Sequence, residues 1–300
     1  MVKTFSQLLE AAKEKGPKTL AVAVAEDKEV LRAIKEAKEH NIINPILVGN
    51  KEKIEEISQQ IGLDLKNIEI ADEKDGPIAA RKATQLVSSR KADILMKGLI
   101  DTPIIMKQVL DREIGLRGES IISHVAVFEV ETYHKLLFVT DPAMNISPSL
   151  EEKKDIMLNA VELAHSMGIE NPKVAVIAAN EKVSPKMEAT LDAKELADMY
   201  RSGQIKGCIV DGPFALDNAI SKEAAKTKKI ESPVAGDADI LLVPDIEAGN
   251  VLYKSLTFLA KAKSAGIILG AKAPIVLTSR ADSQEAKLHS IALSVLLSSK

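Results

Sequence analysis

Cysteine is nearly missing from this chain of 300 residues: Cys208 stands alone, which excludes an internal disulfide framework and a cysteine-based zinc site. Tryptophan is absent, and aromatic residues reach only 3%. Proteins that hold single-stranded nucleic acid need stacking platforms and basic grooves. With few aromatics and a net charge of -3, nucleic acid is not an expected partner. No window approaches the roughly 18 uninterrupted apolar residues of a membrane span, and the start MVKTFSQLLEAAKEK has no apolar core of signal-peptide type. A cytoplasmic address without a membrane partner is expected.

Several catalytic signatures are missing as well. His40, His124, His134, His165 and His289 are scattered with no pair at i, i+4, so no metal centre is expected. There is no G-x-S-x-G nucleophile elbow, no P-loop, and no G-x-G-x-x-G after any candidate strand.

What is present is a soluble α/β pattern. The length suggests about two domains at roughly 150 residues each, and 46% apolar with 28% charged residues is ordinary globular usage. Short apolar runs (19–25, 45–49, 68–71, 93–96) alternate with amphipathic helical stretches (4–15, 27–40, 51–61, 77–90), the signature of a parallel sheet in a layered α/β fold. The alternation breaks at DREIGLRG, between Arg112 and Arg117. Two apolar strands separated by Glu131–His134 then suggest a hairpin. Ser149 with Glu152 forms a capping box for a helix to Ser166, and Ser184-Pro185 reads as the start of another.

The stretch Asp239 to Glu285 carries the densest chemistry. The run 239–243 reads as a buried strand, and Ala248-Gly249-Asn250 as the opening of a helix whose free N–H groups suit an anion. Pro274–Leu277 reads as a strand that delivers Ser279 and Arg280 to the carboxyl edge of a sheet, where ligands bind in open α/β folds. Upstream, Lys97-Gly98 and the helix opening at Asp101-Thr102-Pro103 place a cation and a helix N-terminus together. Each feature has a plainer reading. Ser279 with Asp282, or Asp282 with Glu285, is also what a helix start looks like; Gly249-Asn250 is also an ordinary N-terminal turn, and Lys97 an ordinary lysine after a strand.

Taken together, Val243-Pro244-Asp245, Ala248-Gly249-Asn250, Tyr253-Lys254, Gly266 and Pro274 to Ser279-Arg280 resemble the carboxyl-terminal signature of the phosphate acetyltransferase and phosphate butyryltransferase family. Met96-Lys97-Gly98 with Asp101-Thr102, Thr140-Asp141 to Asn145, and Asp211-Gly212-Pro213 with Leu216-Asp217 fall where that family has related segments. The resemblance runs end to end. LMKGLIDT and TSRADS, and the lack of a DLSRG form, place the chain nearest the butyryltransferase branch.

The resemblance implies two α/β/α domains around a central cleft, like the isocitrate and isopropylmalate dehydrogenases. Residues 1–130 with about 272–300 would form one domain and about 131–271 the other. It implies reversible transfer of a short-chain acyl group, butyryl favoured, between CoA and inorganic phosphate, with acyl phosphate as the other product and no cofactor beyond these substrates. Arg280 would hold the phosphoryl group and Ser279 would donate to the carbonyl oxygen. Lys97, Gly98, Thr102 and Lys107 would bind substrate on one side, and Asp245, Gly249, Asn250 and Lys254 on the other. Two departures stand out. The family's acetyltransferases carry an aspartate where this chain has Ala286, so Asp282 or Glu285 would replace it as base, or the field of Arg280 and Lys97 would activate the thiol unaided. Lys107 stands where they place an arginine, and keeps the charge without the bidentate fork. Rival readings are a phosphate acetyltransferase, a non-catalytic paralogue that binds CoA or acyl phosphate, and a nicotinamide-dependent dehydrogenase of the related fold. A homo-oligomer is expected, with the second domain, richer in the hairpin-like apolar strands between Val125 and Val139, supplying the interface.

Overall fold

The computed structural model describes residues 1–279 and 282–298. The chain divides into two compact units: a terminal unit of Phe5–Ser120 with Ala265–Lys300, and a middle unit of Ile121–Ser264 with Met1–Thr4.

The terminal unit begins with α1 (Phe5–Glu14), β1 (Lys18–Ala23), α2 (Lys28–Glu39), β2 (Ile43–Gly49), α3 (Lys51–Ile61), β3 (Glu69–Asp72), α4 (Gly76–Ser88), β4 (Ile94–Lys97) and α5 (Thr102–Val109). β1 lies parallel to both β2 and β4, and β2 parallel to β3. The apolar runs become strands because both their faces are covered, and each following helix has a short polar residue at its start. Asp27, Asn50 and Asp75 accept the N–H of Val30, Lys53 and Ile78 at 2.8, 3.2 and 2.9 Å. Each satisfies a donor that the helix itself leaves unpaired.

In the middle unit, β5 (Ser123–Glu129) and β6 (Leu137–Thr140) form the antiparallel hairpin. Then come α6 (Leu150–Ser166), β7 (Lys173–Ile177), α7 (Glu188–Arg201), β8 (Ile209–Phe214), α8 (Leu216–Ile220), α9 (Lys222–Thr227), β9 (Ile240–Leu242), α10 (Ile246–Lys254) and a π-helical turn at Ser255–Leu259. The strands run in the order β5-β6-β9-β7-β8, with β6, β9, β7 and β8 mutually parallel. Phe128, Val139, Phe214 and Leu241 fill the core between sheet and helices.

At the amino ends of β6, β7 and β9 sits a charged cluster. Lys135 pairs with Asp239 at 2.6 Å and with Asp237 at 3.3 Å, while Lys173 and His134 reach Asp237 at 2.5 and 2.8 Å. Partial burial pushes the Asp237 carboxyl up, but the hydrogen bond from Lys173 and the charges around it outweigh burial and hold it at about 2.

The chain then returns to the terminal unit with β10 (Lys263–Leu269), β11 (Ile275–Val276) and α11 (Gln284–Leu297). β11 pairs parallel to β4 and antiparallel to β10, extending the order to β3-β2-β1-β4-β11-β10. α11 packs on α1 and α2, and every residue from Ala286 to Leu296 is buried. Its polar members are accommodated individually: Ser290 Oγ donates to Ala286 O and accepts from Gly266 N, and His289 stacks on Phe5 with ring centroids 4.1 Å apart.

Two sequence expectations change. The helix expected from Ser184-Pro185 starts at Glu188, because Thr190 Oγ1 is bonded to Ser184 and holds residues 184–187 as a turn. The helix expected to open at Ala248 opens two residues earlier, behind the Asp245 cap. Among the described residues no helix is long and apolar enough to cross a membrane.

Candidate active site

Two clusters of side chains form at carboxyl ends of parallel strands, one in each unit. In the terminal unit the neighbours are β4 and β11, in register at Met96 and Val276. Lys97 and Gly98 therefore leave the sheet beside the segment that leads to Ser279.

Lys97 is buried, and its ammonium turns into its own loop, donating to Ile100 O at 3.0 Å and Gly98 O at 3.4 Å. The loop lies tight against the end of β1: Gly98 N donates to Ala23 O and Leu99 N to Val24 O. A Cβ at Gly98 would stand 2.1 Å from Val24 O, so only glycine allows the approach. Thr102 opens α5, with Pro103 at its first turn. Lys107 is exposed in the last turn of that helix, where a cation complements the helix dipole.

Ser279 is exposed at the far end of a short segment in which Thr278 is buried. Its peptide group is held at both ends. Ser279 N donates to Asp282 Oδ2 at 2.7 Å, Asp282 N donates to Ser279 O at 3.1 Å, and Lys287 Nζ donates to Ser279 O at 3.4 Å and Asp282 O at 2.5 Å. Of the two helix starts weighed from sequence, neither is used: the cap of α11 is Ser283, which accepts from Ala286 N at 3.1 Å. Asp282 thus shapes the turn, and Glu285 stands exposed in the first turn of α11. Ala286 is buried. Arg280, the residue expected to hold the phosphoryl group, lies outside the described residues.

In the middle unit the neighbours are β6 and β9, in register at Thr140 and Leu242. The Asp141 carboxylate, buried at 3% exposure, is a hub: it accepts from the N–H groups of Ala143, Met144 and Asn145 and from Asn145 Nδ2 at 2.6 Å. Asn145 Nδ2 also reaches Ile122 O, tying the turn to the entry of β5. Against this turn lies α10. Asp245 caps it by accepting from Ala248 N at 2.8 Å. Gly249 N is bonded to Asp245 O, so the free N–H groups expected at Gly249 are not there. Glycine is needed for contact instead, since a Cβ would come within 2.8 Å of Pro142 Cα and Val243 Cγ2. Asn250 Nδ2 donates to Pro142 O at 3.3 Å. Lys254 is exposed, with its ammonium 5.5 Å from the Tyr253 ring and 5.7 Å from the Phe258 ring.

The structure thus groups Lys97 and Gly98 beside the strand end that leads to Ser279 and Asp282, and groups Asp245, Gly249 and Asn250 around the Asp141 turn. Lys107, Lys254 and Glu285 are exposed helix side chains. Asp141 and Lys287 were not singled out from sequence. Asp141 entered only within the family-like segment from Thr140 to Asn145, with no role of its own, and Lys287 looks like any helix lysine until the packing of α11 buries it. Among the described residues no three His, Cys, Asp or Glu side chains are grouped to hold a metal ion.

Such strand-end loops, carrying hydroxyl, amide and ammonium groups, define a mixed α/β protein with polar sites at the carboxyl edges of its sheet strands. Comparison with known proteins narrows the class. Residues 3–81 and 78–295 match the family described as phosphate acetyl/butaryl transferase. The chain is 52% identical over 297 residues, 99% of each chain, to phosphate butyryltransferase of Clostridium acetobutylicum. It is 51% identical over 292 residues, 97% of this chain and 99% of the other, to phosphate acetyltransferase of Thermotoga maritima. Among solved structures, the branched-chain phosphotransacylase of Enterococcus faecalis V583 superposes with a TM-score of 0.83 at 36% identity, covering 94% of this chain and 99% of that one. The chain belongs to the phosphate acetyl- and butyryltransferase family.

Proposed function

We propose that the protein reversibly transfers a short-chain acyl group, butyryl favoured, between CoA and inorganic phosphate. The observation that carries this is the end-to-end identity of 52% to a phosphate butyryltransferase, together with the fixed turn that presents Ser279 at a strand end. Acetyl transfer is the second reading, supported by the 51% identity to a phosphate acetyltransferase.

In the direction that forms acyl-CoA, the CoA thiol loses its proton, the thiolate attacks the carbonyl carbon of the acyl phosphate, and the C–O bond to phosphate breaks. Like a cysteine thiol, whose pKa is about 8.5, the CoA thiol is mostly protonated at neutral pH. Glu285 is our choice for the acceptor of its proton, since Asp282 Oδ2 is engaged by the Ser279 N–H. Ser279 Oγ donates to the carbonyl oxygen as it becomes an oxyanion, and Arg280 takes the phosphate oxygens in its fork of donors. Lys97, Thr102 and Lys107, with Asp245 to Lys254, bind the substrates. CoA and phosphate are the only small molecules required.

We further assign the units as two α/β/α domains with a central cleft, of the isocitrate and isopropylmalate dehydrogenase type, in a cytoplasmic homo-oligomer. Light scattering at micromolar concentration tests the oligomer, and a monomer there overturns it.

The reaction is tested by thiol release from butyryl-CoA and acetyl-CoA, each with and without phosphate, alongside Arg280→Ala. Phosphate-dependent release that favours butyryl-CoA and collapses in the variant supports the reading. No release from either thioester leaves the binding-protein reading in its place.

A further inference from the structure

Lys287 is buried at 3% exposure on α11. Both hydrogen-bond acceptors recorded for its ammonium are backbone carbonyls, Ser279 O and Asp282 O. Burying a charge is costly, and a long apolar side chain would pack the same space without that cost. The ammonium spans the two ends of the turn that presents Ser279. Together with the Ser279 N–H bond to Asp282 Oδ2, it leaves the Ser279 peptide little freedom to rotate. A hydrogen-bond donor to a developing oxyanion acts only when it is aimed before the charge appears.

We propose that Lys287 is a positioning residue for acyl transfer: by bridging the carbonyls of Ser279 and Asp282 from within the core it fixes the backbone from which the Ser279 hydroxyl projects. This inference rests on the acyl-transfer reading above. Lys287 touches no substrate. Its loss therefore falls on the chemical step rather than on substrate binding, and only while Ser279 is present.

The test is a double-mutant cycle on the full chain, with Lys287→Met, Ser279→Ala and the pair, each checked for native circular dichroism and assayed for phosphate-dependent CoA release. Lys287→Met is expected to lower kcat about 30-fold with the KM for butyryl-CoA within about twofold, Ser279→Ala about 100-fold, and the pair no more than Ser279→Ala alone. Should Lys287→Met not fold, Lys287→Leu, which also removes the donors, takes its place under the same criterion. Losses that multiply in the double variant, or a folded single variant with unchanged kcat, overturn the proposal. A wild-type protein that releases no CoA fails the acyl-transfer reading itself, and that result, seen before any variant is compared, removes this inference with it.

Discussion

The carboxylate of Asp282 accepts the backbone N–H of Ser279 at 2.7 Å, and the Asp282 N–H returns to Ser279 O at 3.1 Å. The two residues therefore hold each other, and Asp282 has a structural duty that needs an acceptor rather than a base. Asp282→Asn keeps a side-chain oxygen for the Ser279 N–H, so it is expected to lose less than about tenfold in kcat, whereas Asp282→Ala loses more because a backbone donor is left unpaired. If Asn and Ala prove equally damaging, by the factor of roughly 100 or more typical of a lost general base, Asp282 is the base after all.

Gly98→Ala forces a methyl group to within 2.1 Å of Val24 O. The neighbour is backbone, which cannot swing aside like a side chain. The loop after β4 or the end of β1 must move, at an expected cost of about 1–3 kcal/mol in urea unfolding. Stability unchanged within error shows that the loop relaxes freely.

Burial pushes the Cys208 thiol up to about 11. Near pH 8 it is almost wholly protonated as well as enclosed, so the native protein is expected to be inert to an aromatic disulfide reagent and to yield one equivalent of thiol on denaturation. Rapid reaction of the native protein is the contrary result. The thiol-release assay consequently reads CoA without a protein background.

Asp237 is held at about 2 by Lys173, Lys135 and His134 against the upward push of burial. A folded-state pKa below the ordinary value of 3.8 stabilises the fold fully above about pH 4, and the contribution drains away as pH falls toward 2. The amount is roughly 2 kcal/mol. Asp237→Asn should lower stability at pH 7 and flatten the loss of stability between pH 4 and 2. Parallel pH–stability curves for the two proteins remove Asp237 from the acid response.

The alternation of strands and helices was legible because burial on both faces of a parallel sheet requires uninterrupted apolar runs, as at 19–25 and 93–96. The Ser149–Glu152 capping box was legible for a similar reason: its chemistry is local. What sequence reading missed was decided across the fold. Gly249 looked like a helix opening, and its role became visible only when Pro142 proved to lie against it. Lys287 carried no signal in the sequence, because it is the burial of α11 from Ala286 to Leu296 that encloses it. Ser279 could be placed at a strand end, yet the helix start after it was open between Ser279 with Asp282 and Asp282 with Glu285, and the backbone gives the cap to Ser283 instead.

The order in which the chain is made has a bearing on how the terminal unit can be assembled. β4 ends at Lys97, while β11, its parallel neighbour, begins only at Ile275. A ribosome adding about 5–20 residues per second leaves that edge of β4 without its partner for on the order of ten seconds or more. A bare edge of buried apolar strand is a template for pairing with other chains. Nascent chains halted before residue 275 are thus expected to depend on chaperones for solubility, and release of that dependence should coincide with synthesis of the last helix, as arrested ribosome complexes can report.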